Sequence, residues 1–431
     1  MRFNFLKQDI KTTLFVFSAI AGAAVSFSVL YLYHIILIFL ILNYVSTRMS
    51  CHIHQFKILP TKYYLFFIYI LLWFLISLIW TDNLFLGIKY LFYLFCGSAL
   101  SMYYILYSTN IDKLKHIFRL SALFFIIDIT LSFLEVFTDF RWPISKHSFS
   151  LSTFGRELFL TKEFLMNNDN DYLFSMPTGF HWNPNSLSAV LCMIFPFFLT
   201  YRNSIVAFIG SISIMFLVLS AGARISFWTL TIVFIIYLIL YFKRDIYKWI
   251  LLGAFVFVLT DGFFVFPTNS KKVYEISLIS NSTLNKENKR TDNSIQARKE
   301  LLFKGVSIFS ESPILGIGGN GVKHRLKNDD EIKFYDLHFF WLELLVNGGL
   351  ILLILSGIWY IKLLIKSYVI TIKTKNETLS YYSKSVFLAL IALVLTAIGP
   401  GSMIYNLPMY ILFGFTISVI NNFSLLKEYN K

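Results

Sequence analysis

Charge is what this sequence has least of. Only 14% of its 431 residues are Asp, Glu, Lys or Arg, against 57% hydrophobic, and a chain so composed is not a soluble globule. Cysteine is nearly absent. Cys51, Cys96 and Cys192 are the only three, and they fall in a loop or inside apolar runs, so no disulfide framework is expected. No Walker-type Lys-Ser/Thr follows the glycine cluster near 316–321, no repeat of fixed period occurs, and the two halves show no symmetric pair of interrupted spans. Metal-binding patterns are equally thin. "CHIH" at 51–54 has ligand residue types but no second cluster, while "NNDND" at 167–171 and "NDDE" at 328–331 read as solvated loop. A cleaved leader is not expected either, because the first apolar stretch runs from Thr12 to Val45 with no small-residue cleavage site followed by a soluble domain.

What the sequence does have is long apolar runs. A helix needs about 20 apolar residues to cross about 30 Å of hydrocarbon. On that measure twelve spans are expected, near 12–28, 29–46, 63–81, 84–107, 117–138, 187–201, 204–220, 225–242, 249–267, 339–361, 385–401 and 404–422. With both termini cytoplasmic, the inner loops and tails with their span ends carry 20 Lys and Arg, whereas the four short outer loops with their span ends carry only Lys89 and Arg224. Basic residues accumulate on the side that is not translocated, which supports this orientation. The net charge of +14 therefore implies no nucleic-acid partner; anionic lipid headgroups suffice.

The fold class expected is an all-α polytopic membrane protein with two large extracytoplasmic loops. Spans one to five occupy 1–139, the first outer loop 140–186, spans six to nine 187–267, the second outer loop 268–338, and the last three spans and cytoplasmic tail 339–431. Within the second loop, Ile295, Leu302, Val306 and Phe309 recur at roughly helical intervals, predicting an amphipathic helix over 294–310 at the membrane interface. Pro313 should end it. Gly316, Gly318, Gly319 and Gly321 then allow a tight backbone path, either a turn or, less well supported, a phosphate cradle.

Three charged or titratable residues stand where apolar sequence surrounds them. Arg224, in "LVLSAGARISFW", interrupts two spans, and an arginine in or near a bilayer is by default paired or functional. An ion pair to Asp128 or Asp261 is the structural alternative. His338 and Glu343 mark the entrance of the tenth span. Five residues on a helix turn through about 140°, so the two do not share a face and a shared metal is disfavoured. His338 has the pKa range for proton transfer, whereas Glu343 needs a partner such as Arg224 or Arg298.

Four stretches together resemble a known family: "PTGFHWNPNSLSAVL" at 177–191, "SAGARISFW" at 220–228, "ARKELLFKGVSIFSESPILGIGGNGV" at 297–322 and "LHFFWLELLVNGGLILLIL" at 337–355. Their order is similar to that of the O-antigen ligase and polymerase superfamily, membrane glycosyltransferases with a C-type architecture that act on polyprenyl-diphosphate-linked glycans. The resemblance implies that Arg224, Arg298 and His338 line a catalytic cavity at the outer face of the bacterial inner membrane. It also implies substrate binding by Glu343, Asn183, Asn185, His181, Trp182 and Arg325. Phe180, Trp182 and Trp341 are expected against sugar rings or the interface. Phe339 and "AGAR" depart from the usual pattern, where asparagine follows the histidine and serines precede the arginine. The implied chemistry is inverting, metal-independent transfer without a cofactor, with the arginines stabilising the diphosphate leaving group and His338 assisting the acceptor hydroxyl. A polymerase acting on a lipid-linked repeat unit, for O-antigen or capsule, is the first expectation; a ligase to lipid A core, a flippase or other transporter, and an assembly scaffold are the alternatives. A flippase and a chain-length regulator are the expected protein partners.

Overall fold

The computed structural model describes residues 10–27, 30–47, 59–138, 140–142, 176–241, 289–328 and 336–429. The expected ninth span at 249–267, with Asp261, lies outside them, as do Cys51, "CHIH", "NNDND" and most of "NDDE". Helices α1 (Ile10–Ala21) and α2 (Leu32–Thr47) are joined through a two-stranded ribbon, β1 (Ser26–Phe27) and β2 (Leu30–Tyr31). The ribbon is antiparallel, with Ser26 opposite Tyr31. Then follow α3 (Leu65–Ser77), α4 (Leu84–Tyr107), α5 (Ile111–Phe137), α6 (Pro184–Leu199), α7 (Ser204–Ser220), α8 (Arg224–Tyr241), α9 (Lys289–Glu311), α10 (Gly321–Lys327), α11 (Phe340–Lys373), α12 (Glu377–Thr396) and α13 (Leu407–Tyr429). Asparagine sets many of these boundaries. Asn83, Asn110, Asn183, Asn203 and Asn376 each accept a backbone N–H from the first turn of the helix they precede, satisfying a donor the helix cannot.

Six of these helices, α4, α5, α8, α11, α12 and α13, are long and apolar enough to cross a membrane. Five shorter apolar helices, within α1, α2, α3, α6 and α7, coincide with the remaining described spans expected from the sequence. The centre of the bundle is α13, predominantly apolar and buried over most of its length, as a helix without a solvated face must be. It packs most extensively on α4, where side chains reach across to backbone: Ser101 donates to the Tyr410 carbonyl at 2.8 Å, Ser418 to Tyr104 at 3.1 Å and Asn422 to Ser108 at 2.8 Å. Between apolar helices in lipid, close packing and such bonds replace the hydrophobic drive.

One membrane helix is broken. In α11, Gly349 has φ 76° and ψ 177°, a conformation essentially reserved for glycine. The break frees backbone groups that lipid cannot satisfy. The loop 313–318 satisfies them: Ile317 N–H donates to Val346 O and Gly318 N–H to Asn347 O, both at 3.0 Å, and Leu350 N–H donates to Pro313 O at 2.9 Å. The backbones touch, since a Cβ on Gly316 (φ 75°) would stand 2.5 Å from both Asn347 O and Gly349 N. Trp80 adds a bond from its indole to Gly316 O at 3.1 Å. The glycine cluster is thus a splice to a helix break, and the N–H groups of Ile317 and Gly318 are already committed to it rather than offered to phosphate.

The amphipathic helix is present as α9, longer than the expected 294–310, and with a different packed face. Leu301, Gly305 and Ile308 are buried, whereas Leu302, Phe303 and Val306 are exposed, Phe303 at 71%. Gly305 explains the rotation. Its missing Cβ lets α9 lie on Leu337 and Leu342 at the head of α11, which turns Leu302 and Val306 away.

Gly349→Ala is expected to lower stability by about 3 kcal/mol or more, from the disallowed backbone plus the collision with the 314–316 backbone. Thermal unfolding of the detergent-purified protein tests it. Gly357→Ala, on the same helix where a Cβ meets nothing within 4 Å, should be neutral or slightly stabilising.

Candidate active site

Short connections make α6, α7 and α8 antiparallel neighbours, and likewise α11 and α12. The end of α5, the start of α6, the α7–α8 turn, α9, the start of α11 and residues 397–405 therefore share one end of the bundle. Every described site candidate lies there.

Two carboxyl groups on α5 organise the first part. Asp128 and Glu135 are seven residues, two turns, apart and project from one face; they are 1% and 0% exposed. Groups this polar stay buried only with partners. Glu135 accepts the backbone N–H of Thr178 at 2.6 Å and of Gly179 at 2.7 Å, and Arg141 donates to its carbonyl. Asp128 Oδ1 accepts Phe180 N–H at 2.7 Å, and its Oδ2 lies 3.1 Å from Nε2 of His181. Asp128 is therefore engaged with His181 and not with Arg224, because segment 176–183 folds back onto α5. Asn183, an expected substrate ligand, spends its side-chain oxygen capping α6, accepting from Ser186 N–H at 2.8 Å. Trp182 and Asn185 are half-buried beside it. Phe180 is buried against Phe17 and Trp142, and Trp341 packs between Phe340 and Tyr360; both rings serve packing.

At the other end of this segment Met176 reaches the α7–α8 turn, where a Cβ on Gly222 would stand 3.4 Å from its Cε. Arg224 opens α8 two residues later and is exposed, while Arg298 on α9 is half-buried. The two guanidiniums feel each other. Burial, and then the like charge of Arg224, draw Arg298 below the ordinary range of an arginine. Among the described residues neither forms an ion pair.

Arg325 is the opposite case. Its Nε lies 2.7 Å from Asp82 and its Nη1 2.5 Å from Glu311, and these bonds, that to Asp82 first, raise its pKa. Expected to bind substrate, it instead ties α10 to the α3–α4 connection and to the end of α9. Glu343, 6% exposed, is paired with neither Arg224 nor Arg298; it accepts from Ser402 Oγ at 2.9 Å. Its Oε2 has no hydrogen-bond partner among the described residues. Close by, Lys323 and Asp336 pair at 3.2 Å, and Tyr405 donates to Asn320 Oδ1 at 3.1 Å. His338 is half-buried with φ 53°, a left-handed conformation that costs a non-glycine residue about 1–2 kcal/mol. Phe340 N–H, bonded to Ala397 O at 3.1 Å, fixes the chain just beyond it. Among the described residues no three His, Cys, Asp or Glu side chains gather as a metal site.

Glu135 was missed by the sequence reading, although two acids seven residues apart within an apolar span were a signal for it. Glu135→Ala strands the buried N–H groups of Thr178 and Gly179, and should cost about 2–4 kcal/mol in thermal unfolding.

Residues 206–357 match the family model Wzy_C, described as O-Antigen ligase. That range contains Arg224, Arg298, His338 and the splice. The chain is also 22% identical over 389 residues to the teichuronic acid biosynthesis protein TuaE of Bacillus subtilis (strain 168), covering 87% of this chain and 75% of that protein. Together with the four sequence stretches, these matches make the chain similar to the O-antigen ligase and polymerase superfamily and support a polysaccharide polymerase or ligase type of function.

Proposed function

We propose that this protein is a polysaccharide polymerase that transfers a growing glycan from polyprenyl diphosphate to the next lipid-linked repeat unit. The observation that carries the reading is the pair Arg224 and Arg298. Holding two guanidiniums close enough to repel, one of them half-buried and neither met by a carboxylate among the described residues, is unfavourable until an anion arrives. A diphosphate offers two such groups, and guanidinium binds phosphate oxygens in bidentate fashion. As the glycosyl bond breaks, negative charge grows on that diphosphate, so the same contacts strengthen in the transition state. His338 at the mouth of α11 orients the acceptor hydroxyl. We place this end of the bundle at the outer face of the cytoplasmic membrane, with twelve spans and both termini inside, a reading that the distribution of Lys and Arg supports. Transfer proceeds with inversion and without a metal ion. The relative named for teichuronic acid biosynthesis supports a polymer-building role.

A ligase remains the second reading, since the family description names one. The glycan profile of a deletion strain complemented with wild type, Arg224→Ala, Arg298→Ala or His338→Ala separates the two. Polymerase function predicts loss of long chains with a single repeat still reaching the final acceptor, and a drop of about 10²–10³-fold in polymer for each arginine variant. Long chains stranded on polyprenyl diphosphate would establish a ligase. Full-length product from all three variants, at equal membrane levels, would refute the site.

A further inference from the structure

We propose that the pair Asp128–His181 is the proton acceptor of the transfer reaction, a catalytic group beyond Arg224, Arg298 and His338. The inference deepens the function proposed above and rests on it. A general base needs a defined lone pair aimed by a fixed partner, and this imidazole has one. Nε2 of His181 faces Asp128 Oδ2 at 3.1 Å, while Oδ1 of the same carboxyl group holds Phe180 N–H at 2.7 Å. The ring and the backbone of the preceding residue are thus gripped by one side chain.

A second grip comes from behind. His181 N–H donates to Thr178 O at 2.8 Å, and Thr178 is itself clamped by Glu135. Neither Asp128 nor Glu135 can follow the loop outward, because both are fixed in the packed face of α5. With Nε2–H donating to Asp128, Nδ1 is left as the lone-pair nitrogen, and the carboxylate stabilises the imidazolium that forms when it takes a proton.

Placement agrees with the role. The side chain keeps about a tenth of its surface exposed, so bulk water is largely excluded from it. The segment that carries it abuts the α7–α8 turn through Met176 and Gly222, two residues before Arg224. The segment that bears the base and the turn that bears Arg224 are thus neighbours.

The step balances without a further reactant. The acceptor O–H bond breaks, its oxygen bonds the anomeric carbon, and the bond from that carbon to the diphosphate oxygen breaks. The proton passes to His181 Nδ1, and polyprenyl diphosphate leaves with the bonding electron pair.

The test uses membrane vesicles from the deletion strain, loaded with its native lipid-linked repeat units, and reads the initial rate of polymer formation at matched protein levels. His181→Gln keeps an N–H for Asp128 but has no basic nitrogen; Asp128→Asn keeps an oxygen for Phe180 N–H but cannot accept from Nε2–H. Both should fold and lose about 10²–10⁴-fold in rate, and His181→Ala should regain part of the rate when imidazole is added. His181→Gln working within threefold of wild type, or His181→Ala failing to respond to imidazole while His181→Gln restores activity, would reduce the pair to a loop clamp and overturn the proposal. If Arg224→Ala and Arg298→Ala also ran at full rate, the function itself would fall; if they were inactive while His181→Gln ran normally, only the assignment of the base would.

Discussion

The architecture of the site end depends on a backbone junction. Where α11 opens at Gly349, the carbonyls of Val346 and Asn347 are claimed by Ile317 and Gly318, and the N–H of Leu350 finds Pro313. Without those bonds the break would expose unsatisfied peptide groups in the membrane, each worth several kcal/mol. Because of them, the loop that follows α9 and the head of α11 form one body. Arg298 rides on α9 and His338 immediately precedes α11, so the distance between these two residues is set by the junction and by the contact of Gly305 with Leu337 and Leu342. A polar loop laid on the membrane surface by its apolar face alone would slide; one hydrogen-bonded into the backbone of a spanning helix does not.

The other half of the site is fixed by a different device. Segment 176–183 has little regular structure of its own, and two buried carboxyl groups of α5 supply its order by taking the N–H groups of three successive residues, Thr178, Gly179 and Phe180. Both devices follow the same logic. Irregular chain sits beside the bundle only where its peptide groups are satisfied, by backbone in one case and by side-chain oxygens in the other. The two halves meet where the α7–α8 turn presents Arg224 to α9.

The sequence revealed the spans well because their signal is additive. Runs such as 84–107 and 204–220 declare themselves by length and apolarity, and the helices observed there have the same limits. Arg224 and His338 stood out as candidates because each interrupts an apolar pattern, and Arg298 through the family resemblance. What the pattern could not show was partnership. Arg325 and Arg298 look alike as arginines in a polar loop, and only the approach of Asp82, 243 residues earlier in the chain, distinguishes a structural arginine from one with its charge uncompensated. Leu302 and Val306 fit a helical period as well as Leu301 and Ile308 do, and the packed face was decided by Gly305, whose lack of a side chain carries no weight in a hydrophobic pattern. Likewise "GIGG" and "NGG" are each a common turn signal, and that they are two sides of one junction depends on a fold that brings 316 to 349.

Among the described residues, charge accounting at this end leaves no carboxylate for Arg224 or Arg298. Asp82 and Glu311 are committed to Arg325, Asp336 to Lys323, and Asp128 to His181. Glu135 is spent on backbone donors, and Glu343 is turned to Ser402. Glu300, two residues from Arg298, projects from another side of α9, since two helical residues turn through about 200°. Among the described residues, each acid that relieves a base thus relieves one other than Arg224 or Arg298. The alternative, an arginine pair neutralised internally, would be more stable in the resting protein and would have to break ion pairs before binding any anion. In the function proposed above, leaving the pair uncompensated transfers that cost from the binding step to the folded state, where the splice and the packing of α9 on α11 sustain it.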